Sequence, residues 1–350
     1  MIVKKTTTFI VGILVFLAVG VFAQKKDYKI AIVGFYNLEN FYDTVNNTTI
    51  NDEEFLPEGP RSYNGKIYWD KVGKLAKVIS EIGVDVQPAS PDGAAILGVA
   101  EIENDTVLLD LVKHPLIARR NYKIVHYSSP DLRGVDVGLL YNPKYFKVLD
   151  SKPLYVQLPY GSKAASHTRD ILWVKGELDG EIVHVYVNHW PSRSGGEKRS
   201  APGRAAAAQV AKNHIDSIKT ADGAQKVVLM GDLNDDPVSA SVVDVLGAKG
   251  KIKDVKAGDL FNPWYEMYRS GIGTLGYNDA WNLFDQIIIS EPFLNKEQTG
   301  YRFYKQYIFN RDYLTENIGR YKGYPMRTWD GMSYRGGYSD HFPTYIVLIK

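Results

Sequence analysis

Two short stretches combine carboxylates, an amide and an imidazole at the ends of apolar runs. Gly231-Asp232-Leu233-Asn234 follows Val227-Val228-Leu229-Met230, and Ser339-Asp340-His341 precedes the run from Phe342 to Val347. Side chains at strand ends are held rigidly yet reach solvent, which suits a site that needs fixed geometry and substrate access. Two Asp, one Asn and one His supply hard oxygen ligands, an amide that can orient a group and a proton carrier. That set is equipped for metal-assisted phosphoester hydrolysis. Any one of these residues has a plainer reading. Asp232 alone, ahead of Asp235-Asp236-Pro237, reads as a turn former, and His189 alone as a hydrogen-bonded core histidine.

The elements that must position these residues are legible as patterns. Lys29 to Tyr36 is a β-branched apolar run ending at Asn37, and Ala94 to Ala100 is another, ending at Glu101. Trp69, Val72, Leu75, Ala76, Ile79 and Ile82 fall at helical spacing and predict a helix with one buried face. Val135 to Tyr141, Ile171 to Leu178 and Ile182 to Val187 read as strands, the last two flanking Asp179-Gly180, a tight-hairpin signal. Arg204 to Ile218, rich in Ala, reads as a helix; Lys226 to Met230, Phe284 to Ile289 and the run from Phe342 read as strands. The polar stretch from Thr44 to Asn64 reads as a long loop. With no linker and no internal repeat, many strands and few helices predict stacked sheets covered by helices in one domain, residues 24–350.

Six pieces stand in an order that resembles the endonuclease/exonuclease/phosphatase superfamily. They are Tyr36-Asn37-Leu38-Glu39-Asn40, Gly98-Val99-Ala100-Glu101, the His of Val187-Asn188-His189-Trp190-Pro191, Gly231-Asp232-Leu233-Asn234, Phe284-Asp285-Gln286 and Ser339-Asp340-His341. The resemblance runs from about residue 28 to the C-terminus. It implies an α/β fold, a four-layer α/β/β/α sandwich of two packed mixed sheets flanked by helices, with the site in a cleft at one sheet edge. It also implies roles. Glu101 is the first choice for a divalent cation, supported by Asn37 and Asp340, and all-oxygen ligation favours Mg²⁺ or Mn²⁺ over zinc. Asp232 and Asn234 match residues that orient or deprotonate the attacking water. His341 matches a His on the scissile phosphate, held by Asp285, and His189 a second His that does general acid work, with Asp136 as its expected orienting carboxylate. His189 points away from the abasic-site branch, which carries Tyr there. Arg169 matches an Arg that some members place on substrate phosphate.

The loop after His189 carries Arg193, Lys198, Arg199 and Arg204, which would attract a phosphate ester or a polyanion, or else form a solvated face. Aromatic residues crowd 261–281 and 301–338; they would stack on a ring substrate or pack loops onto a sheet.

Composition bounds the rest. Zero Cys removes thiolate catalysis, Cys-ligated zinc and disulfides. Lys4 and Lys5 precede an apolar run from Phe9 to Val21, with Val21-Phe22-Ala23 at the usual cleavage positions, so residues 1–23 are expected to be a cleaved export signal leading to the periplasm or outside. An uncleaved anchor is the other reading; a lipid-anchored form needs a Cys that the chain lacks. The 42 basic and 40 acidic residues become 40 each once Lys4 and Lys5 leave, and such balance lowers the prior for a non-selective nucleic-acid binder without excluding a nuclease. The expectation is an exported, divalent-metal-dependent phosphodiesterase, foremost a nuclease, with a phosphatase or phospholipase-type esterase on a lipid, inositol or sugar phosphate as the alternative. A binding protein with lost chemistry is the third reading, disfavoured because each principal polar position carries a fitting residue. No protein partner is called for, and a monomer is expected.

Overall fold

In this computed structural model, residues 28–160, 167–222, 225–277, 279–295, 297 and 300–350 are described. The expected export signal lies outside them. Two mixed sheets carry the molecule. The first runs, in spatial order, β14 (Arg302–Ile308), β17 (Thr344–Ile349), β1 (Ile30–Phe41), β2 (Ala94–Ile102), β4 (Asp136–Tyr141) and β3 (Lys123–His126). The second runs β5 (Phe146–Leu154), β6 (Ile171–Leu178), β7 (Glu181–His189), β8 (Lys226–Asp232), β13 (Asp285–Ser290), β10 (Leu260–Phe261) and β9 (Ala248–Lys249). Two small hairpins, β11 (Leu275–Tyr277) with β12 (Ala280–Asn282) and β15 (Trp329–Asp330) with β16 (Ser333–Tyr334), lie outside the sheets.

Strand alternation builds the layers. In β17, Ile346 and Leu348 face the other sheet, while Val347 faces the helical side. In β8, Val228 and Met230 face the first sheet, while Val227 and Leu229 pack under a helix. A side-chain period of two thus splits the burial into three slabs, and the outer two are closed by helices. α1 (Gly65–Glu81) and α2 (Asp105–Lys113) cover the first sheet through Val72, Leu75, Ile79, Leu108 and Leu111. α3 (Glu197–Asp222) covers the second through Ala207, Ala208, Ala211 and Ile215. The result is the expected four-layer α/β/β/α sandwich.

Connections decide where strand ends meet. β1 and β2 are parallel and joined through α1; β7 and β8 are parallel and joined through α3. β13 and β17 run antiparallel to their neighbours. The carboxyl ends of β1, β2, β7 and β8 therefore share one edge with the amino ends of β13 and β17. The expected Asp179-Gly180 turn joins β6 to β7, both residues at positive φ (46° and 84°), as a tight hairpin requires.

Two expectations are corrected. Trp69 is not on the buried face of α1 but 54% exposed. The buried stripe is instead set by Tyr68, which stacks on Phe41 and donates to Asp110 Oδ2 at 2.7 Å. α3 starts at Glu197, not Arg204, and runs through Pro202. Buried Arg204 explains this. Its Nη2 donates to Glu197 O (3.1 Å) and its Nη1 to Ser200 Oγ (2.8 Å) within the first turns, and its Nε lies 2.7 Å from Asp235 Oδ1, so one buried side chain ties the start of the helix together and to the site loop.

The two sheets approach closely at Gly98 of β2, where an added Cβ would lie 2.5 Å from Met230 Sδ and 3.1 Å from Val187 Cγ1. Gly98→Val should destabilise the fold by roughly 2 kcal/mol through overpacking, read as a lower denaturation midpoint with an unchanged slope.

Candidate active site

The shared edge brings six separated sequence stretches together. On the second sheet, residue pairing sets three functional side chains abreast: His189 of β7 pairs with Asp232 of β8, which pairs with Asp285 of β13. Just before Asp232, Gly231 lies so close to β7 that a Cβ would sit 2.3 Å from Asn188 O; only glycine permits this approach. From the first sheet, β1 contributes Asn37, β2 contributes Glu101, and the segment entering β17 contributes Asp340 and His341.

Glu101 is placed by a bulge. The pairing of β2 with both β1 and β4 shifts register around it, and its φ is +58°. Glu39, Asn40 and Asn234 also adopt positive φ, at 50°, 51° and 48°. Left-handed non-glycine residues concentrated at one edge are sustained because the surroundings over-determine them. Here Asn40 N donates to Glu101 Oε2 (2.9 Å), Glu39 N to Asn37 Oδ1 (2.9 Å) and Asn234 N to Asp232 Oδ1 (2.9 Å).

Asp232 is the hub. Asn37 Nδ2 donates to its Oδ2 at 3.0 Å, and the same oxygen lies 3.8 Å from His189 Nε2 and 3.9 Å from His341 Nε2. Glu101 Oε1 is 3.7 Å from His189 Nε2. His341 Nδ1 is 2.7 Å from Asp285 Oδ2, which also accepts from Thr274 Oγ1. His341 Nε2 is 3.9 Å from Asp340 Oδ1, and Ser339 Oγ ties this segment to β1 by donating to Asn37 O at 2.7 Å.

The two imidazoles are driven apart. Burial pushes His189 well below its usual range, and the Arg169 and Arg133 guanidiniums and His341 add to the effect. Burial also opposes charge on His341, but the Asp285 and Asp232 carboxylates outweigh it and hold that ring well above its usual range. Asp232 is raised, first by burial, with Asp285 and Glu101 adding and His341 opposing. The same edge thus pushes its two imidazoles in opposite directions around a buried carboxyl.

Two groups of donor atoms lie within 4.8 Å of one another: Glu101, His189 and Asp232, and Asp232, Asp285 and His341. In the second, His341 Nδ1 is taken up by Asp285 Oδ2 at 2.7 Å, and the Asp285 and Asp232 carboxylates favour charge on that ring. The first sets the Glu101 and Asp232 carboxylates side by side with His189 next to them, and that pair of hard oxygen donors fits a divalent ion. Asp340 stands at the rim, its Oδ2 3.6 Å from Arg327. Asn37 contacts Asp232 directly and gives its own oxygen to Glu39 N–H, so the contact seen here is an orienting one.

Other expected residues lie elsewhere in the arrangement. Asp136 does not orient His189; it accepts from Ser129 N at 2.9 Å and lies 3.1 Å from His126 Nε2, while His189 Nδ1 is buried with no hydrogen-bond partner among the described residues. The reason is that the Asp136 carboxylate is turned to the β3 side, where His126 and Ser129 take both its oxygens. Arg169 is buried behind the site, donating to His189 O (3.1 Å), Trp190 O (2.6 Å) and Asp131 Oδ2 (3.0 Å), so it pins the backbone after His189. Arg193 donates to Asn234 O (3.0 Å), Asp235 (3.3 Å) and Asp236 (3.1 Å). Arg199 and Lys198 are exposed.

Sequence reasoning missed Glu39 and Lys71. Glu39 is buried, accepts from Thr328 N (2.6 Å) and Trp329 N (3.4 Å), and lies 4.0 Å from buried Lys71 Nζ, which donates to Tyr338 O at 3.1 Å. The pair clamps the 326–338 loop beside the site. Its only sequence signal was the place of Glu39 two residues after Asn37.

The His341 charge depends on Asp285. In the metal-free protein, imidazole NMR should show His341 doubly protonated and His189 neutral at pH 7. Asp285→Asn should bring the His341 titration down toward neutral pH; an unmoved titration would contradict the pairing.

Comparison with known proteins adds the following. A family model described as "Endonuclease/Exonuclease/phosphatase family" matches residues 32–350. A Bacteroides thetaiotaomicron structure titled an endonuclease/exonuclease/phosphatase family protein superposes with a TM-score of 0.56 at 16% identity, covering 92% of this chain and 98% of that one. A mannosyl-6-phosphatase of the same species gives 0.54 at 15%, covering 91% and 100%. TDP2 of D. rerio, complexed with a single-strand DNA product, gives 0.53 at 14%, covering 91% and 98%. At these identities the structures share the fold. No curated protein matches the sequence.

Proposed function

The chain belongs to the endonuclease/exonuclease/phosphatase family, whose members hydrolyse phosphoester bonds, and from that premise we propose that it is an exported, divalent-metal-dependent hydrolase of small phosphate esters. The observation that carries the hydrolase reading is the convergence of Glu101, His189, Asp232, Asp285 and His341 at one edge, with donor atoms within 4.8 Å of one another in two groups that share Asp232.

Glu101, with Asp232 beside it and Asp340 at the rim, would hold Mg²⁺ or Mn²⁺, leaving His189 Nε2 to move a proton. Bound there, the ion would supply charge neutralisation for the phosphoryl oxygens. Asp232, its carboxyl raised toward neutrality, accepts the proton of the attacking water while Asn37 and Asn234 fix its orientation. His341, kept cationic by Asp285, donates from Nε2 to a phosphoryl oxygen. The water oxygen bonds to phosphorus as the ester P–O bond breaks. His189 carries a proton to the leaving oxygen once an anionic phosphate stands beside it, since that charge offsets the burial that otherwise keeps the ring neutral.

A small ester is preferred to the nucleic acid expected first because three of the arginines read as phosphate contacts, Arg169 and two of the four cations after His189, are turned inward. Arg169, Arg193 and Arg204 all pair with aspartates, and two of the three are buried. Exposed Arg199 and Lys198 favour the second reading, a nuclease, which the same assay separates.

Purified protein with Mg²⁺ or Mn²⁺ should hydrolyse small phosphate esters faster than plasmid DNA or RNA. Excess EDTA should abolish turnover, and Asp232→Ala and His341→Ala should each lower kcat by 10² or more. Full activity in chelator would sink the metal role. Export rests on Lys4, Lys5 and the apolar run to Val21; N-terminal sequencing of protein recovered outside the cytoplasm should begin at Gln24, and a start at Met1 would overturn it.

A further inference from the structure

Beside the catalytic edge lies a cavity of about 220 Å³ built from the aromatic-rich segments around 276–277 and 316–340. We propose that this cavity, bounded by Tyr277, Tyr321, Tyr324, Glu316, Arg327 and Asp340, binds a neutral polyhydroxylated ring, a monosaccharide unit, whose single phosphate reaches the catalytic carboxylates past Asp340. The inference rests on the phosphoester-hydrolase reading and names the substrate class for it.

Position comes first. Asp340 belongs to both places: its Oδ1 is 3.9 Å from His341 Nε2, and its Oδ2 is 3.6 Å from Arg327 on the cavity wall. A ligand seated in the cavity therefore abuts the reacting centre.

The cavity is also preformed. Glu316 N donates to Tyr324 O and Gly323 N to Glu316 O, both at 2.8 Å, closing the 316–324 loop on itself. The Tyr324 ring lies against Gly276, where a Cβ would come within 2.4 Å of it, and meets Trp281 edge-on at 4.8 Å. Tyr321 and Tyr277 are 49% and 61% exposed. Exposed rings on a braced wall are available to lie against the C–H face of a sugar, and the volume falls below that of pockets for drug-sized ligands.

Charge selects the occupant. The wall holds three carboxylates, Glu316, Asp330 and Asp340, and two guanidiniums, Arg327 and Arg335. Arg335 is committed to Glu316, at 3.1 Å from both oxygens, and to Asp330 at 3.4 Å. Arg327 lies 3.6 Å from Asp340, so the described residues of the wall offer no unpaired cation to the flanking phosphates of a polynucleotide but suit hydroxyls, which donate to carboxylates and accept from Arg327.

The test uses the full mature protein. Wild type with Mg²⁺ should turn over hexose 1- or 6-phosphates of glucose, galactose or mannose with kcat/KM at least tenfold above methyl phosphate and nucleoside 5′-monophosphates. Tyr321→Ala and Arg327→Ala should each lower the hexose-phosphate to methyl-phosphate ratio by tenfold or more, mainly through KM. Binding gives a readout independent of chemistry: saturation-transfer NMR should detect phosphate-free methyl hexosides on metal-free wild type, with the signal lost in Tyr321→Ala. Equal rates on methyl and hexose phosphates, or a preference for nucleotides, would overturn the cavity assignment while leaving the hydrolase reading intact. No turnover of any ester with either metal would instead sink the hydrolase reading, and absence of hexoside binding would then sink the cavity as well.

Discussion

A carboxylate buried where two sheets meet is the constraint around which the site is arranged. Asp232 is only 2% exposed, and an ionisable group so placed is tolerated when hydrogen bonds and counter-charge offset the loss of water. Asn37 supplies the bond from the first sheet, Asn234 N–H the bond from its own turn, and His341 the positive charge. Each partner depends on a backbone feature: the end of β1, the left-handed turn after β8, and the segment entering β17. Gly231 is part of the same device, because it lets β8 approach β7 closely enough to set Asp232 beside His189. Loosening any of these would leave a buried carboxylate short of partners, which is costlier than losing an exposed contact.

The layering was legible in sequence because side-chain period and chain direction carry it. The apolar runs of β8 and β17, the Asp179-Gly180 turn and the Ala-rich helix all appear as patterns, and polar residues at the strand ends mark one edge. Asp285 stood out at a strand start rather than an end, which antiparallel pairing of β13 with β8 explains: opposite directions place it level with Asp232. Convergence of the six motifs followed from this geometry. Partner choice did not. Asp136 was expected to serve His189, yet its side chain faces His126 and Ser129, a matter of strand face that a one-residue shift of register inverts.

Cations taught a similar lesson. A run of Arg and Lys beside a site reads as a phosphate trap, but sequence does not tell whether aspartates nearby in space will claim them. Asp235 and Asp236 follow the catalytic turn and bind Arg193, and Asp235 also binds Arg204; Asp131, from a loop far away in the chain, binds Arg169. These guanidiniums therefore brace the loops bearing His189 and Asn234. Bidentate and multi-acceptor contacts of this kind suit Arg, whose planar fork fixes backbone carbonyls as well as charge. Precision at the edge is bought with charges that a sequence-level reading assigns to substrate.

The Glu39–Lys71 pair completes the logic by linking chemistry to specificity. Glu39 lies two residues beyond Asn37 on the same strand, so any shift that moves Asn37 off Asp232 also moves the acceptor for Thr328 and Trp329 N–H. Lys71, from α1, holds the same loop through Tyr338 O, immediately before Ser339, Asp340 and His341. The aromatic wall bearing Arg327 is thus anchored to the strand that orients the catalytic carboxyl, through buried polar contacts whose geometry is narrower than that of apolar packing. A cavity formed by loops would ordinarily vary in its distance from a site on a sheet edge. Here the loops are fastened to that edge at two points, which gives substrate ring and reacting phosphate one common frame.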